Sequence, residues 1–136
     1  MAQGLEWRGE FDNRALNELH ATAFGHRVFE DDWAAQVERH SLGWVCAWDA
    51  DGKLVGFVNV AWDGGVHAFV LDTIVDPGQA RQGLGTALVR LATEKAREAG
   101  CEWLHVDFDD ELRPFYLDAC GFTETNAGLI DLKAGP

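Results

Sequence analysis

Gly83-Leu84-Gly85-Thr86, preceded by Arg81-Gln82, stands where an extended run, Val66–Val75, gives way to a helical run, Leu84–Ala99. The first turn of a helix leaves roughly four backbone N–H groups without intrahelical partners, and the aligned peptide dipoles make that end partly positive. Glycines at 83 and 85 let a ligand approach the backbone with no Cβ in the way, and Arg81 adds a fixed positive charge. The chemistry served is the holding of a pyrophosphate. Two other phosphate motifs fail on residue type. Gly78 to Gly83 has P-loop spacing, but Leu84-Gly85 stands where Lys and Ser or Thr are needed. Gly83-Leu84-Gly85 also lacks the third glycine of a dinucleotide fingerprint, Leu88 occupying that place.

The elements that position this cradle follow from periodicity and turn residues. Leu5–Arg8 reads as a first strand; Asp12 caps a helix carrying Leu16, Leu19 and Ala23, which Phe24-Gly25-His26 ends. Glu30-Asp31-Asp32 opens a second helix with Trp33, Val37 and His40. Trp44–Trp48, Leu54–Trp62 and Val66–Val75 form an antiparallel meander through Asp49-Ala50-Asp51-Gly52 and Asp63-Gly64-Gly65. The next helix buries Leu84, Leu88, Leu91, Ala92 and Ala96 and stops at Gly100. Cys101–Phe108 is predicted as a strand parallel to Val66–Val75, because a strand, crossover helix and strand normally pair that way. A short helix from Asp109-Asp110 through Tyr116 to Ala119 precedes a last strand from Gly121-Phe122 to Ile130-Asp131-Leu132.

With 136 residues, 47% of them hydrophobic, the chain reads as a single domain, 1–136, with one core. No window approaches the roughly 18 apolar residues of a membrane span, and Met1–Glu6 lacks a basic region leading into an apolar one, so the cytoplasm is the expected compartment. A formal charge of −12 argues against nucleic acid or an anionic membrane as partner. It suits either a cationic acceptor or plain solubility. Cys46, Cys101 and Cys120 are an odd set without CxxC spacing, and the first and second fall in apparent strands, which reads as buried reduced thiols. His20, His26 and His40 show no ligand spacing, so no metal is expected. Six tryptophans, among them Trp44, Trp48 and Trp62 on the meander, offer an apolar strip for a homodimer or simply fill the core.

Two stretches together resemble the GNAT superfamily of N-acetyltransferases. Val75-Asp76-Pro77 followed by Arg81-Gln82-Gly83-Leu84-Gly85-Thr86 looks like that family's acetyl-CoA signature, and Arg113-Pro114-Phe115-Tyr116 followed by Cys120-Gly121-Phe122 looks like its second signature. The resemblance implies an α/β (α+β) acyl-CoA N-acyltransferase fold, a mixed, mostly antiparallel sheet flanked by helices. It departs from the pattern twice. Ala80 stands where the family carries Arg or Gln, and Tyr116 lies five residues before Gly121, where four is usual. One extra residue turns an α-helical side chain by about 100°, and a π-bulge or an earlier helix end would restore its direction.

The resemblance further implies direct attack of a primary amine, on a small cationic molecule or a protein, on the thioester of acetyl-CoA. Thr73, Ile74 and Val75 would offer backbone groups to the pantetheine arm. Arg81, Gln82, Gly83, Leu84, Gly85 and Thr86 would take the pyrophosphate. Tyr116 is the candidate general acid, with packing beside Phe115 as its structural alternative. For the base, Asp72 is the first candidate, because an acidic residue inside Leu71-Asp72-Thr73 needs a polar reason to be there. His67, His105 and Asp107, or a chain of waters, are the others. Phe29, Glu30, Asp31 and Trp33 would grip the amine, unless the acidic residues only cap the helix and Trp33 is core. The displaced tyrosine leaves a noncatalytic acyl-CoA-binding regulatory domain as the alternative function, and a longer acyl donor as a variant of the first.

Overall fold

Leu54-Val55-Gly56-Phe57-Val58-Asn59-Val60 is buried residue after residue, which a strand achieves only when both its faces are covered. In the computed structural model, which describes residues 4–134, this run lies in the middle of a five-stranded sheet. Its strands are β1 (Gly4–Trp7), β2 (Ser41–Trp48), β3 (Leu54–Trp62), β4 (His67–Val75) and β5 (Trp103–His105), adjacent in that order. The first three pairings are antiparallel and the last is parallel, as the crossover rule requires. Both hairpins are built on an aspartate that folds back on its own backbone. Asp49 accepts from the amides of Asp51 and Lys53, and Asp63 from those of Gly65 and His67.

Helices α1 (Asn13–Phe24) and α2 (Trp33–His40) cover one face, where Leu16, Leu19, Trp33 and Val37 pack with Trp44, Cys46, Phe57 and Ile74. Helix α3 (Leu84–Glu98) covers the other, burying Leu84, Leu88, Val89, Ala92 and Ala96. Leu91, expected on that buried stripe, is only half-buried, and Val89 takes its place. Gly56 lets α3 sit close: a Cβ there would lie 3.1 Å from Leu88 Cδ1 and 3.2 Å from Leu84 Cδ2. The first turn of α3 is thereby fixed against the sheet.

Asp12 caps α1 by accepting from the Arg14 amide at 2.9 Å, and Gly25 ends the helix in the left-handed conformation. The bend to α2 is held by the buried Asn17. Its amide nitrogen donates to the carbonyls of Asn13 and Asp31, and its oxygen accepts from Trp33 Nε1 at 3.1 Å. Trp44 lies in the core, its Nε1 donating to the Gly9 carbonyl, so the meander tryptophans form no continuous surface strip. Among the described residues, no helix is long and apolar enough to cross a membrane.

The chain divides into two compact units, Met1–Val106 and Asp107–Pro136. In the second, a 3-10 turn (Asp110–Leu112) leads to a π-helical turn (Pro114–Ala119). Three expectations need correction. The strand predicted over Cys101–Phe108 is confined to Trp103–His105, because ladder pairing with β4 spans only His67–Phe69. Cys101 therefore precedes the strand and is only half-buried, whereas Cys46 is fully buried; both are free thiols. The last strand, expected from Gly121 to Leu132, does not form: Leu129, Ile130 and Leu132 are 81%, 85% and 89% exposed. Thr123–Gly128 has no alternating apolar face, and no strand among the described residues supplies a ladder for it.

Replacing Asn17 by alanine strands the Trp33 indole N–H and the Asp31 carbonyl. Asn17→Ala is expected to lower the unfolding free energy by about 2–3 kcal/mol. Urea denaturation would show this as an earlier midpoint at unchanged slope.

Candidate functional site

Strand β4 contains one residue too many for its partner. Asn59 pairs with Leu71 and Phe57 with Ile74, so Val58 faces both Asp72 and Thr73. This is a β-bulge, and Asp72 adopts the left-handed φ of 55° that it demands. Pairing with β5 ends at Phe69, just before the bulge, whose added twist turns the strand away from its parallel neighbour. The sheet edge along Thr73, Ile74 and Val75 is therefore not covered by β5.

Beyond Val75 the backbone is redirected at once. The Asp76 amide donates to the Val55 carbonyl at 2.8 Å, and its carboxylate accepts from Gly78 N and pairs with Lys53 Nζ at 3.5 Å. A 3-10 turn at Pro77–Gln79 follows. Arg81 (φ 64°) and Gly83 (φ 79°) are both left-handed, with Gln82 between them, an alternation that turns successive amides toward one side. Arg81, Gln82 and Gly83 are exposed. Gly83 caps α3 with no side-chain hydrogen bond, so among the described residues the opening amides of the helix are not sealed by a side chain. A Cβ built on Gly83 meets nothing within 4 Å, which marks open space over the cradle. These residues fit a pyrophosphate.

Asp72, the first candidate base, is fixed by neighbours that sequence reasoning missed. Ser41 Oγ donates to Asn59 Oδ1 at 2.5 Å, which leaves the Asn59 amide to donate to the Asp72 carboxylate. Partial burial raises the Asp72 pKa; the Asn59 hydrogen bond and the charge of nearby His20 oppose this. His20 lies on the last turns of α1, and its Nδ1 is 2.6 Å from Nε2 of His26. Burial and the neighbouring His26 push its pKa down, against the pull of Asp72 and Asp31. The buried Asn59, a polar residue inside Val58-Asn59-Val60, was the available signal for this cluster.

The other candidates are placed differently. His67 and His105 meet each other, Nδ1 to Nε2 at 2.8 Å, on the paired end of β4 and β5. Trp33 is core, so it does not line an amine site, and Phe29 stacks on the His26 ring at 4.4 Å. Asp32 is the α2 cap: its carboxylate accepts from the Asn13 side chain and the Ala35 amide, which hold its pKa low. Among the described residues no group of three or more His, Cys, Asp and Glu side chains could hold a metal.

In the second unit, Tyr116 is buried, its ring stacked on Phe108 at 5.1 Å and edge-on to Phe115 and Phe122. The Cys120 amide reaches back five residues to the Phe115 carbonyl, the hydrogen bond of a π-turn. Such a turn takes in about one residue more than an α-helical turn.

A model of the acetyltransferase (GNAT) family matches residues 7–122. The chain is 43% identical over 61 residues to a probable glucosamine 6-phosphate N-acetyltransferase of Oryza sativa subsp. japonica, a match covering 45% of this chain and 36% of that protein. It is 35% identical over 104 residues to the streptothricin acetyltransferase of Streptomyces lavendulae, covering 70% and 55%. The chain thus spans about a third to about half the length of these relatives. A GNAT family N-acetyltransferase of Escherichia coli, solved in complex with CoA, shares the fold with a TM-score of 0.69 at 18% identity, covering 90% of this chain and 69% of that one. With a family match over most of its length and the bulged strand, uncapped helix and open glycine loop on one unit, the chain belongs to the GNAT family of acetyltransferases.

Proposed function

We propose that this chain transfers an acetyl group from acetyl-CoA to a primary amine, on a small cationic molecule or a protein, by direct attack within a ternary complex. The observation that carries this reading is the cradle at residues 81–86, open at the end of a strand whose edge is free of β5. Arg81 and the amides of Gln82, Gly83, Leu84, Gly85 and Thr86 hold the diphosphate. Thr73, Ile74 and Val75 align the pantetheine arm, which fixes the thioester near the bulge. Asp72, held by Asn59 and one residue from Thr73, is the carboxylate end of the path that takes the ammonium proton. Tyr116 protonates the departing thiolate. The π-turn supports the enzyme reading over a noncatalytic acyl-CoA sensor, since it removes the spacing defect that favoured the sensor.

Isothermal calorimetry with CoA, followed by acetyl-CoA turnover against glucosamine 6-phosphate, streptothricin and a panel of other primary amines, tests the reading. Saturable binding with turnover of at least one amine is expected. Absence of heat defeats the cradle, and binding with no turnover on any amine favours the sensor. Tyr116→Phe should lower kcat severalfold or more while CoA affinity barely changes. Unchanged kcat across pH would remove the tyrosine from the mechanism.

The Asp72 pKa is raised in the folded chain, so its charge opposes folding. This destabilisation is absent below the ordinary aspartate value of 3.8 and grows as pH rises through the higher folded value. Asn tolerates left-handed φ and keeps an acceptor for Asn59. Asp72→Asn should therefore melt above the wild type at neutral pH, with the gap closing as pH falls toward 3.8, while turnover drops.

A further inference from the structure

His26 Nδ1 lies 2.6 Å from the Arg27 carbonyl, which has no proton to give, so that nitrogen must carry the N–H. In the neutral ring His26 Nε2 is then a bare acceptor. The His20 Nδ1 facing it at 2.6 Å must in turn be the donor, which leaves His20 Nε2 with its lone pair. One backbone carbonyl thus sets the tautomer of both rings. Packing holds them there: His26 stacks on Phe29, and His20 lies against Phe24 at 4.7 Å and Trp33 at 5.8 Å. The groups acting on His20 are His26 from the loop after α1, Asp72 from the β4 bulge and Asp31 from the approach to α2.

From this chain of donors and acceptors we propose that His20 and Asp72 form the proton-accepting dyad of the transfer reaction, with His26 as the positioning residue that keeps His20 Nε2 free of hydrogen. The inference rests on the acetyltransferase reading and names the base within it. One ammonium proton passes to His20 Nε2, giving an imidazolium balanced by the Asp72 carboxylate. The freed nitrogen lone pair forms the N–C bond as the C–S bond breaks. The second nitrogen proton replaces the one that the general acid gives to the thiolate, and His20 returns its own to solvent. Burial and His26 keep His20 neutral, and hence basic, at a pH where an exposed histidine is partly charged.

The test uses the full chain and the amine turned over in the panel above. In the wild type, kcat/KM should rise with pH along an acid limb centred below 6.5, the ordinary histidine value. His20→Gln should abolish that limb and lower kcat by about 10²-fold or more, with the KM for acetyl-CoA within about twofold. The flanking variants should move the limb in opposite directions. His26→Gln, which removes the repelling ring, shifts it up; Asp72→Asn, which removes the attracting charge, shifts it down. Nitrogen-15 NMR of the unsubstituted protein reads the tautomers directly, and both rings should be protonated at Nδ1 in the neutral form. A hydrogen on His20 Nε2, or a limb unmoved in all three variants, overturns the dyad while leaving the transferase intact. Failure of the wild type to acetylate any amine overturns both.

Discussion

One surplus residue in β4 sets the geometry on which the remainder of the site depends. Val58 faces two residues of β4, so the strand bends at Asp72, and β5 pairs with β4 only up to Phe69. The same bulge brings an acidic side chain against the buried Asn59 and within electrostatic reach of α1. A regular strand there would continue the pairing with β5 and present no carboxylate to this face. Strain at one residue is thus exchanged for an edge that β5 does not pair with and a placed charge, a trade that concentrates at functional sites.

The sheet bears this strain because both its faces are packed. Phe57, Val58 and Val60 have no exposed surface, and Gly56 admits α3 so closely that the helix start cannot drift. The left-handed Arg81 and the uncapped amides that follow are further local losses, tolerated because α3 is anchored through Leu84 and Leu88 to the sheet beneath. Across the sheet, Asn17 does for the α1–α2 bend what Gly56 does for α3. It fixes the loop from which His26 approaches His20.

Much of the architecture was legible because local and global preferences agree. The Asp12 and Asp32 caps, the aspartate turns at 49 and 63, the 54–62 strand and the glycine loop before Leu84 each rest on interactions within a few residues. The short helix expected through Tyr116 is present as a π-wound turn, one of the two devices that suit its spacing to Gly121. What failed to read was non-local. The end of β5 depends on the course of β4, and the stretch after Gly121 has strand-like residues at its end but no ladder. His20, His26 and Ser41 carry no spacing signal, because their partners are supplied by a helix end, a loop and a strand start that meet only in three dimensions.

The amino-acid order by itself determined the helix caps, the hairpins, the glycine loop before α3 and the family, because each is written in contiguous residues whose backbone preferences hold in isolation. Tertiary structure alone decided where β4 gains its extra residue, which carboxylate Asn59 holds and which nitrogen of His20 meets His26. Those follow from ladder register and from hydrogen bonds between distant segments, and such contacts exist only once the sheet and its two helical layers have closed.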